Sequence, residues 1–396
     1  MNEHGGKEHG GIEVDLAQLR TRTSAKWTYF PDDVLPAWVA EMDFSLAPPI
    51  AQALTAAIAR SDTGYRSTGR LPEVLANFCA LQWNWSPDPT HMMVLADVMT
   101  GIATTLRFCT RPDDFVVINS PVYPPFYSTV RDVAGRNIYD VPLVPDEQGR
   151  YSWDLVALDV AFAQPEVTAY VLCSPHNPVG SVPTVHELAA IARSAAEHGV
   201  FVIADEIHAP LTLAGSLHTP YLSVAGADAR AVSVVSASKA WNIAGLKCAQ
   251  LIASPAVAED LFASVPLETQ YGAGHLGVIA SIAAFEDGEP WRQEMLGVLD
   301  ENRYLFGEKL SDALPAAAYR PPDASYLTWV DLSAYELGDD PALPLLEIGR
   351  VAVNSGPTFG AGGAGHIRVN IGTSAKIIDE IVARIARGTI GSQDAS

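Results

Sequence analysis

The sequence SASKAWNIAGLK, residues 236–247, follows a strand-like apolar run, Ala231 to Val235, and places Lys239 between small side chains. A lysine amine forms a Schiff base with a carbonyl compound when its surroundings lower its pKa enough to leave part of it neutral. Two hydroxyl groups and a second cation accompany this lysine and together suit a phosphate: Ser236, Ser238 and Lys247. The stretch therefore predicts a site for a phosphorylated aldehyde, pyridoxal 5′-phosphate.

The motif Ser-x-Ser-Lys is short, and a single lysine in a sequence is most often a solvated surface charge. The cofactor prediction depends on partner residues elsewhere in the chain, in the order and at the spacing that such a cofactor needs. Those partners decide between the two interpretations.

The composition is that of a folded, acidic protein. The chain has 396 residues, of which 48% are hydrophobic and 18% charged, and this length predicts two domains or one large domain with a smaller one. The formal net charge of −21 argues against nucleic acid and against anionic membranes as partners. It does not oppose one local basic pocket for a phosphate.

Cysteine usage and hydropathy indicate a cytoplasmic protein. The cysteines are widely separated, without a CxxC pair, as in proteins of a reducing compartment: Cys79, Cys109, Cys173 and Cys248. Residues 1–12 form a leader that we expect to be disordered, and it has no apolar run typical of a signal peptide. His4 and His9 in it are isolated, so we expect no metal site. No segment approaches the ~20 apolar residues of a membrane helix.

Strand-like and helix-like segments alternate through the middle of the chain. The strand-like segments are continuously apolar and rich in β-branched residues, as in a mainly parallel sheet that helices cover on both faces. They are residues 94–96, 115–119, 169–173, 200–204 and 232–236. Because ligands bind beyond the carboxyl ends of such strands, the residues that follow each strand are the candidate site residues.

Four strand ends carry side chains suited to the cofactor. Tyr123 offers a ring for stacking, Asn177 an amide donor and Asp205 a carboxylate. A carboxylate that faces the ring nitrogen keeps it protonated, so that the ring accepts the electrons of a substrate carbanion. His208 adds an imidazole three residues after Asp205, and Lys239 follows the fourth strand.

A helix N-terminus is a further phosphate candidate. The stretch from Val94 to Ala103 has the pattern of a short strand that runs into a helix at Thr100, Gly101 and Ile102. The free N–H groups and the positive dipole end of a helix start attract a phosphate. One glycine at such a position is weak evidence when taken alone.

Each of the other candidates also has a purely structural explanation. Asn177 lies between two prolines and suits a turn, Tyr123 suits a hydrophobic core, and His208 suits a buried, hydrogen-bonded imidazole. Together, in this order and each at a strand end, they favour a cofactor site.

The order of these residues is similar to that in fold-type I pyridoxal-phosphate enzymes of the aspartate aminotransferase superfamily. The resemblance spans residues 13–387 and rests on this series: Tyr65, Gly101, Tyr123, Asn177-Pro178, Asp205, Lys239, Lys247 and Arg368. Three longer strings resemble the MalY/PatB branch of cystathionine β-lyases and cysteine carbon–sulfur lyases. They are WVAEMDF at 38–44, DEIH at 205–208 and KAWNIAGL at 239–246.

The resemblance implies an α/β fold with a large cofactor-binding domain, whose mainly parallel seven-stranded sheet lies between helices, and a smaller α/β domain. It places an N-terminal arm at 13–47, the large domain at 48–287 and the small C-terminal domain at 288–396. The two-fold homodimer of the superfamily is expected as well.

The resemblance also assigns roles to individual residues. Lys239 would bind the cofactor aldehyde, Asp205 the ring nitrogen and Asn177 the ring 3′-oxygen. Tyr123 would stack on the ring, and His208 stands where most aminotransferases have a tyrosine, as in the lyase branch. The phosphate ligands would be Gly101, Ile102, Ser236, Ser238 and Lys247, with Tyr65 reaching in from a second subunit.

On the substrate side, Arg368 would clamp the substrate carboxylate through its planar guanidinium group, and Trp38 and Asn177 would line the pocket. Two departures concern the shape of that pocket. Glu41 stands where the branch usually has aspartate, and Ala240-Trp241 replaces a more usual Thr-Phe pair. These differences leave the identity of the sulfur substrate open.

The activity that the resemblance implies is a β-elimination, in which the freed Lys239 amine removes the Cα proton and a thiolate leaves Cβ. L-Cystathionine or a related cysteine thioether would yield a thiol, pyruvate and ammonia. The first alternative is an aminotransferase, which shares every step up to the carbanion. The second is a non-catalytic regulator that binds the cofactor, which the acidic charge and the missing helix–turn–helix segment disfavour.

Overall fold

The structure, a computed structural model, describes residues 14–393, so the predicted leader, with His4 and His9, lies outside the described residues. The strands in chain order are β1 (Leu35–Pro36), β2 (Met92–Leu95), β3 (Phe115–Ile118), β4 (Asn137–Asp140), β5 (Val144–Pro145), β6 (Tyr151–Ser152), β7 (Val167–Cys173), β8 (Phe201–Asp205), β9 (Ala231–Val235), β10 (Ala249–Ala253), β11 (Ala318–Tyr319), β12 (Leu327–Asp331), β13 (Val351–Ala352), β14 (Asn354–Ser355) and β15 (His366–Asn370).

The central sheet has seven strands in the order β2-β10-β9-β8-β7-β3-β4. β10 is antiparallel to both of its neighbours, and the other pairs are parallel. The predicted mainly parallel α/β fold is therefore confirmed. β4 and β10 had no individual prediction, and β4 is hard to find because this edge strand is partly exposed rather than uniformly apolar.

The helices in chain order are α1 (Leu16–Leu19), α2 (Ala25–Thr28), α3 (Pro48–Ala59), α4 (Leu71–Trp83), α5 (Val98–Cys109), α6 (Pro125–Ser128), α7 (Leu155–Phe162), α8 (Val185–His198), α9 (Tyr221–Ala225), α10 (Ala258–Ser264), α11 (Leu267–Gln270), α12 (His275–Asp287), α13 (Glu289–Ala313), α14 (Ala342–Pro344) and α15 (Ala375–Gln393). No helix among residues 14–393 is long and apolar enough to cross a membrane.

Two apolar clusters lie on opposite faces of the central sheet, because successive residues of a strand point to opposite sides. In β8, Val202 and Ala204 belong to one cluster, and Phe201 and Ile203 belong to the other. Both faces of the sheet are thus covered, which explains why the strands are apolar throughout rather than alternating.

A second sheet of four strands has the order β11-β12-β15-β14. The arm reaches this part of the molecule, since β1 pairs in parallel with β13. The predicted boundary at 287/288 falls between α12 and α13, with the central sheet before it in the chain and the second sheet after it. The division into domains at those residues stays a prediction.

Gly180 connects the loop after β7 to the segment before β12. Its φ is +69°, and a Cβ atom there would lie 2.4 Å from the Cβ atom of Pro322, so only glycine fits. Its carbonyl oxygen accepts the N–H groups of Asp323 and Ala324 at 3.0 and 3.1 Å. These contacts fix the loop that also carries Asn177.

Candidate active site

A cavity of about 200 Å³ lies where β7, β8 and β9 end. The structure brings together in its walls eight of the residues that the sequence singled out: Tyr123, Asn177, Asp205, His208, Ser236, Ser238, Lys239 and Lys247. Because they come from separate segments of the chain, their meeting at one sheet edge is a consequence of the parallel topology.

Lys239 projects from the loop after β9. Its Nζ atom donates a hydrogen bond to the backbone carbonyl of Ala40, 3.0 Å away, in the arm. Burial and the charge of Arg368 lower the pKa of the Lys239 amine to about 8, although Glu41 and Asp205 act in the opposite direction. A pKa in this range leaves a fraction of the amine neutral near pH 7, as a nucleophile or base requires.

Asp205 ends β8 and is only 4% exposed. Burial raises the pKa of its carboxyl group to about 7, and this is opposed by the N–H group of Ile207 and by the charge of Lys239. One carboxylate oxygen accepts that N–H group at 3.1 Å. A cationic group bound opposite Asp205 would stabilise the ionised carboxylate in this apolar setting.

His208 is buried, and its Nδ1 atom has no hydrogen-bond partner among the described residues. Burial and the charges of Lys239 and Arg368 lower its pKa to about 3. The imidazole is therefore neutral near pH 7. His208 thus presents a neutral ring to the cavity. A protonated imidazole there would be a third cation and would repel Lys239 and Arg368.

Arg368 lies in β15 and is 4% exposed. Its Nη1 atom donates to Oδ1 of Asn177 at 3.0 Å, and its Nη2 atom donates to the carbonyl of Trp38 at 3.0 Å and to Oδ1 of Asn354 at 2.5 Å. The ring of Phe359 lies 5.1 Å from the guanidinium carbon. All three acceptors are neutral, so the charge of Arg368 has no counterion among residues 14–393.

The helix start at the phosphate end lies earlier than predicted. α5 begins at Val98, and Val98 and Met99 line the cavity with first-turn N–H groups that have no partner within the helix. Gly101 instead donates its N–H group to the carbonyl of Asp97 at 3.2 Å, and Ile102 is buried in the apolar cluster. Neither Gly101 nor Ile102 lines the cavity, and their role as phosphate ligands stays a prediction.

Gly101 also has a role in packing. A Cβ atom at this position would lie 3.0 Å from Cγ1 of Val234 in β9, which is tighter than an ordinary contact. The useful signal was Asp97, a residue that prefers helix N-caps. Its Oδ1 atom accepts the N–H group of Thr100 at 2.8 Å, and its Oδ2 atom lies 3.0 Å from Nζ of Lys247.

The two serines of the lysine motif differ. The Ser236 hydroxyl donates to the carbonyl of Cys248 at 2.6 Å and accepts the N–H group of Ser238 at 3.1 Å, so it shapes the loop. Ser238 and Lys247 line the cavity beside the start of α5. The role of these three residues as phosphate ligands stays a prediction.

Tyr65, Trp38 and Arg368 lie outside the walls of the cavity. Tyr65 is 99% exposed, so within one chain it contacts no part of the site. Trp38 reaches the site through its carbonyl group on Arg368, while its ring packs against Tyr29 and Phe30. Sequence reasoning missed Ala40, Asn354 and Phe359, because backbone and packing contacts leave no motif in a sequence.

The groups around the cavity fit pyridoxal phosphate. A lysine amine of lowered pKa suits the aldehyde, and a buried carboxyl group of raised pKa suits a protonated ring nitrogen. Helix N–H groups and the Lys247 ammonium group suit the phosphate, and the Tyr123 ring suits stacking.

Comparison with known proteins agrees with this arrangement. The family model for aminotransferase class I and II matches residues 45–385. A Mycobacterium tuberculosis H37Rv protein that carries a provisional cystathionine beta-lyase name is 44% identical, with 96% of this chain and 98% of that protein covered. Cystathionine beta-lyase PatB of Bacillus subtilis is 34% identical, with 94% and 99% covered.

A solved structure gives the same result. A Corynebacterium diphtheriae protein provisionally described as a PLP-dependent beta-cystathionase superimposes with a TM-score of 0.90 at 31% identity, and 96% of this chain and 99% of that chain are covered.

Proposed function

This chain belongs to the aminotransferase class I and II family, and from that premise we propose that it is a pyridoxal-phosphate-dependent carbon–sulfur β-lyase. It cleaves L-cystathionine or a related cysteine thioether with water to a thiol, pyruvate and ammonia. The observation that carries the proposal is a cavity lined by a lysine amine of lowered pKa and by Asn177, whose side chain bonds to a buried arginine, Arg368, that has no counterion among residues 14–393.

The residues of this chain hold the cofactor as follows. Lys239 would bind the aldehyde, Asp205 the ring nitrogen and Asn177 the ring oxygen through Nδ2, since its Oδ1 atom is bonded to Arg368. The start of α5 and Lys247 would hold the phosphate. When bound, the cofactor supplies an aldehyde that reacts with the substrate amine and a protonated ring that accepts the electrons released at Cα.

Three residues act on the substrate and on protons. Arg368 binds the α-carboxylate and thereby orients the Cα–H bond relative to the ring. Lys239, with a pKa of about 8, removes the Cα proton through Nζ. Asp205 would keep the ring nitrogen protonated, which is the state in which the cofactor can accept the Cα electrons that a thiolate leaving Cβ later takes up.

An aminotransferase would use the same groups, and three observations favour the lyase. His208 occupies the position where most aminotransferases have a tyrosine. Among the described residues that line the cavity, Lys239 and Lys247 are the cations, and both have roles in holding the cofactor, so that none is left for a second substrate carboxylate. PatB, which is 34% identical, carries the cystathionine beta-lyase name.

The test is to supply L-cystathionine without any 2-oxo acid. Pyruvate is followed by coupling to lactate dehydrogenase, and the thiol by a thiol reagent. We expect sustained release of both products in equal amounts. An aminotransferase stops after one half-reaction until a 2-oxo acid arrives, so turnover that depends strictly on added 2-oxo acid, with no thiol, would reassign the enzyme.

The assembly and location of the enzyme are part of the proposal. Tyr65 is almost fully exposed and would complete the phosphate site of a second subunit, which supports a two-fold homodimer. A fully active monomer in light scattering would exclude this arrangement. We propose a cytoplasmic location, which the free cysteines of the described residues support: Cys79, Cys109, Cys173 and Cys248.

A further inference from the structure

The acceptors around Arg368 share one property: none is charged. Its guanidinium group is almost fully buried and hydrogen-bonds to two side-chain amides and one backbone carbonyl. Its Nε atom is buried and has no hydrogen-bond partner among residues 14–393. Neutral dipoles can fix the direction of a guanidinium group, but they do not cancel its charge, so the field of the cation remains available in the cavity.

That field reaches the neighbouring groups. Arg368 contributes to the lowered pKa values of both Lys239 and His208, in each case after the larger effect of burial. A buried cation without a counterion destabilises the unliganded fold, and a substrate carboxylate supplies the missing charge. Keeping the acceptors neutral is therefore what preserves the affinity for that carboxylate.

Among the three acceptors of Arg368, Asn354 is the one whose effect can be tested by substitution without disturbing a predicted cofactor contact. It lies in β14 directly opposite Arg368 of β15, so the register of the two strands fixes their approach. Its Oδ1 atom lies 2.5 Å from Nη2, and the Phe359 ring lies 5.1 Å from the guanidinium carbon. Asn177 also serves the cofactor, and the carbonyl of Trp38 cannot be altered by substitution.

We propose that Asn354 is a positioning residue for the substrate carboxylate. It orients Arg368 through its side-chain oxygen, and because it is an amide rather than a carboxylate it leaves the arginine charge free for the substrate. This inference rests on the proposed carboxylate clamp. It holds equally for a lyase and for an aminotransferase, so thiol release and the Asn354 test can fail separately.

The test uses the holoenzyme and two small ligands. L-Alanine carries the α-carboxylate but no leaving group, and ethylamine is the matched amine without a carboxylate. The dissociation constant of each is measured by titration of the cofactor absorbance. Cofactor affinity and thermal unfolding are measured alongside, and Ser355→Ala serves as the neighbouring control, since its hydroxyl bonds to Asp340 instead.

Asn354→Asp should weaken L-alanine binding by at least roughly 30-fold, because an internal ion pair neutralises Arg368. Asn354→Ala should weaken it by about 10-fold through the loss of one hydrogen bond. Ethylamine and cofactor binding should change less than twofold in both variants. With L-cystathionine, KM should rise more than kcat falls.

Two results would overturn the proposal. One is an Asn354→Asp variant that binds L-alanine as tightly as the wild type. The other is an equal loss of L-alanine and ethylamine binding, which would mean that Asn354 only supports the fold. If Asn354→Asp fails to fold, Asn354→Ala provides the test. Its loss of L-alanine binding is compared with its loss of ethylamine binding in the same way.

Discussion

The buried arginines of α13 and the buried arginine of the cavity are partnered differently. Arg303 is 4% exposed, forms an ion pair with Asp300 at 2.6 Å and donates to the carbonyls of Pro322 and Ala214. Arg292 is likewise paired, with Glu289. Arg368 is buried to the same degree but has no acidic partner among residues 14–393.

The difference separates structural from functional charge. The charge of Arg303 is balanced within the fold by Asp300, and its backbone acceptors link α13 to the segments around 214 and 322. A buried arginine with neutral acceptors alone is a cost to the unliganded protein. Such a cost is typical of binding sites, where strain or desolvation is offset when the ligand arrives.

The largest expected effect is at the centre of the cavity. Lys239→Ala removes both the amine that binds the aldehyde and the base for the Cα proton, so turnover should fall by more than roughly 10⁴-fold. Wild-type protein should show a visible absorbance band that borohydride bleaches, and the variant should lack it. An intact Schiff base in the Lys239→Ala protein would place the chemistry on another lysine.

Arg303→Met tests the structural role of the paired arginine in α13. It removes the ion pair with Asp300 and leaves two backbone carbonyls without a donor, so the free energy of unfolding should fall by about 3 kcal/mol. Amino-acid affinity of the surviving folded protein should match the wild type. Denaturant unfolding gives the free energy of unfolding, and absorbance titration gives the amino-acid affinity. Weakened amino-acid binding would show that the contacts of Arg303 also support the active site.

The pH dependence of cofactor uptake sharpens the electrostatic part of the account. The pKa of Lys239 is lowered to about 8, so the unliganded enzyme holds this amine protonated below pH 8 and neutral above it. The rate at which apoenzyme takes up pyridoxal phosphate should therefore fall about tenfold per unit below pH 8 and level off above it. Stopped-flow absorbance measures this rate, and a midpoint near the usual lysine value would contradict the lowered pKa.

Much of this molecule could be predicted from its sequence. The apolar strands, the residues at their carboxyl ends and the lysine motif follow from periodicity and from the rule for parallel sheets, and the structure places them around one cavity. The start of α5 at Val98 could not be located, because Gly101 resembles the glycine of a ligand-binding helix start but lies inside α5, packed closely against Val234.

Contacts that depend on strand register or on the backbone could not be predicted from the sequence either. Asn354 meets Arg368 only because β14 pairs with β15, and Ala40 meets Lys239 through its backbone carbonyl. Neither contact has a signature in residue type. Tyr65 remains a prediction for a further reason, since its partner surface would belong to a second chain.

Arg368→Met, compared with Arg303→Met, tests the central claim most directly. The affinity of the holoenzyme for L-alanine and the free energy of unfolding of the apoenzyme are measured for both variants. We expect Arg368→Met to lose roughly 2 to 4 kcal/mol of amino-acid binding and to stay within about 1 kcal/mol of wild-type stability, because removal of a buried charge without a counterion offsets the three hydrogen bonds that are lost. Cofactor binding should survive. A loss of stability as large as that of Arg303→Met, with amino-acid affinity intact, would show that Arg368 supports the fold and is not the carboxylate clamp.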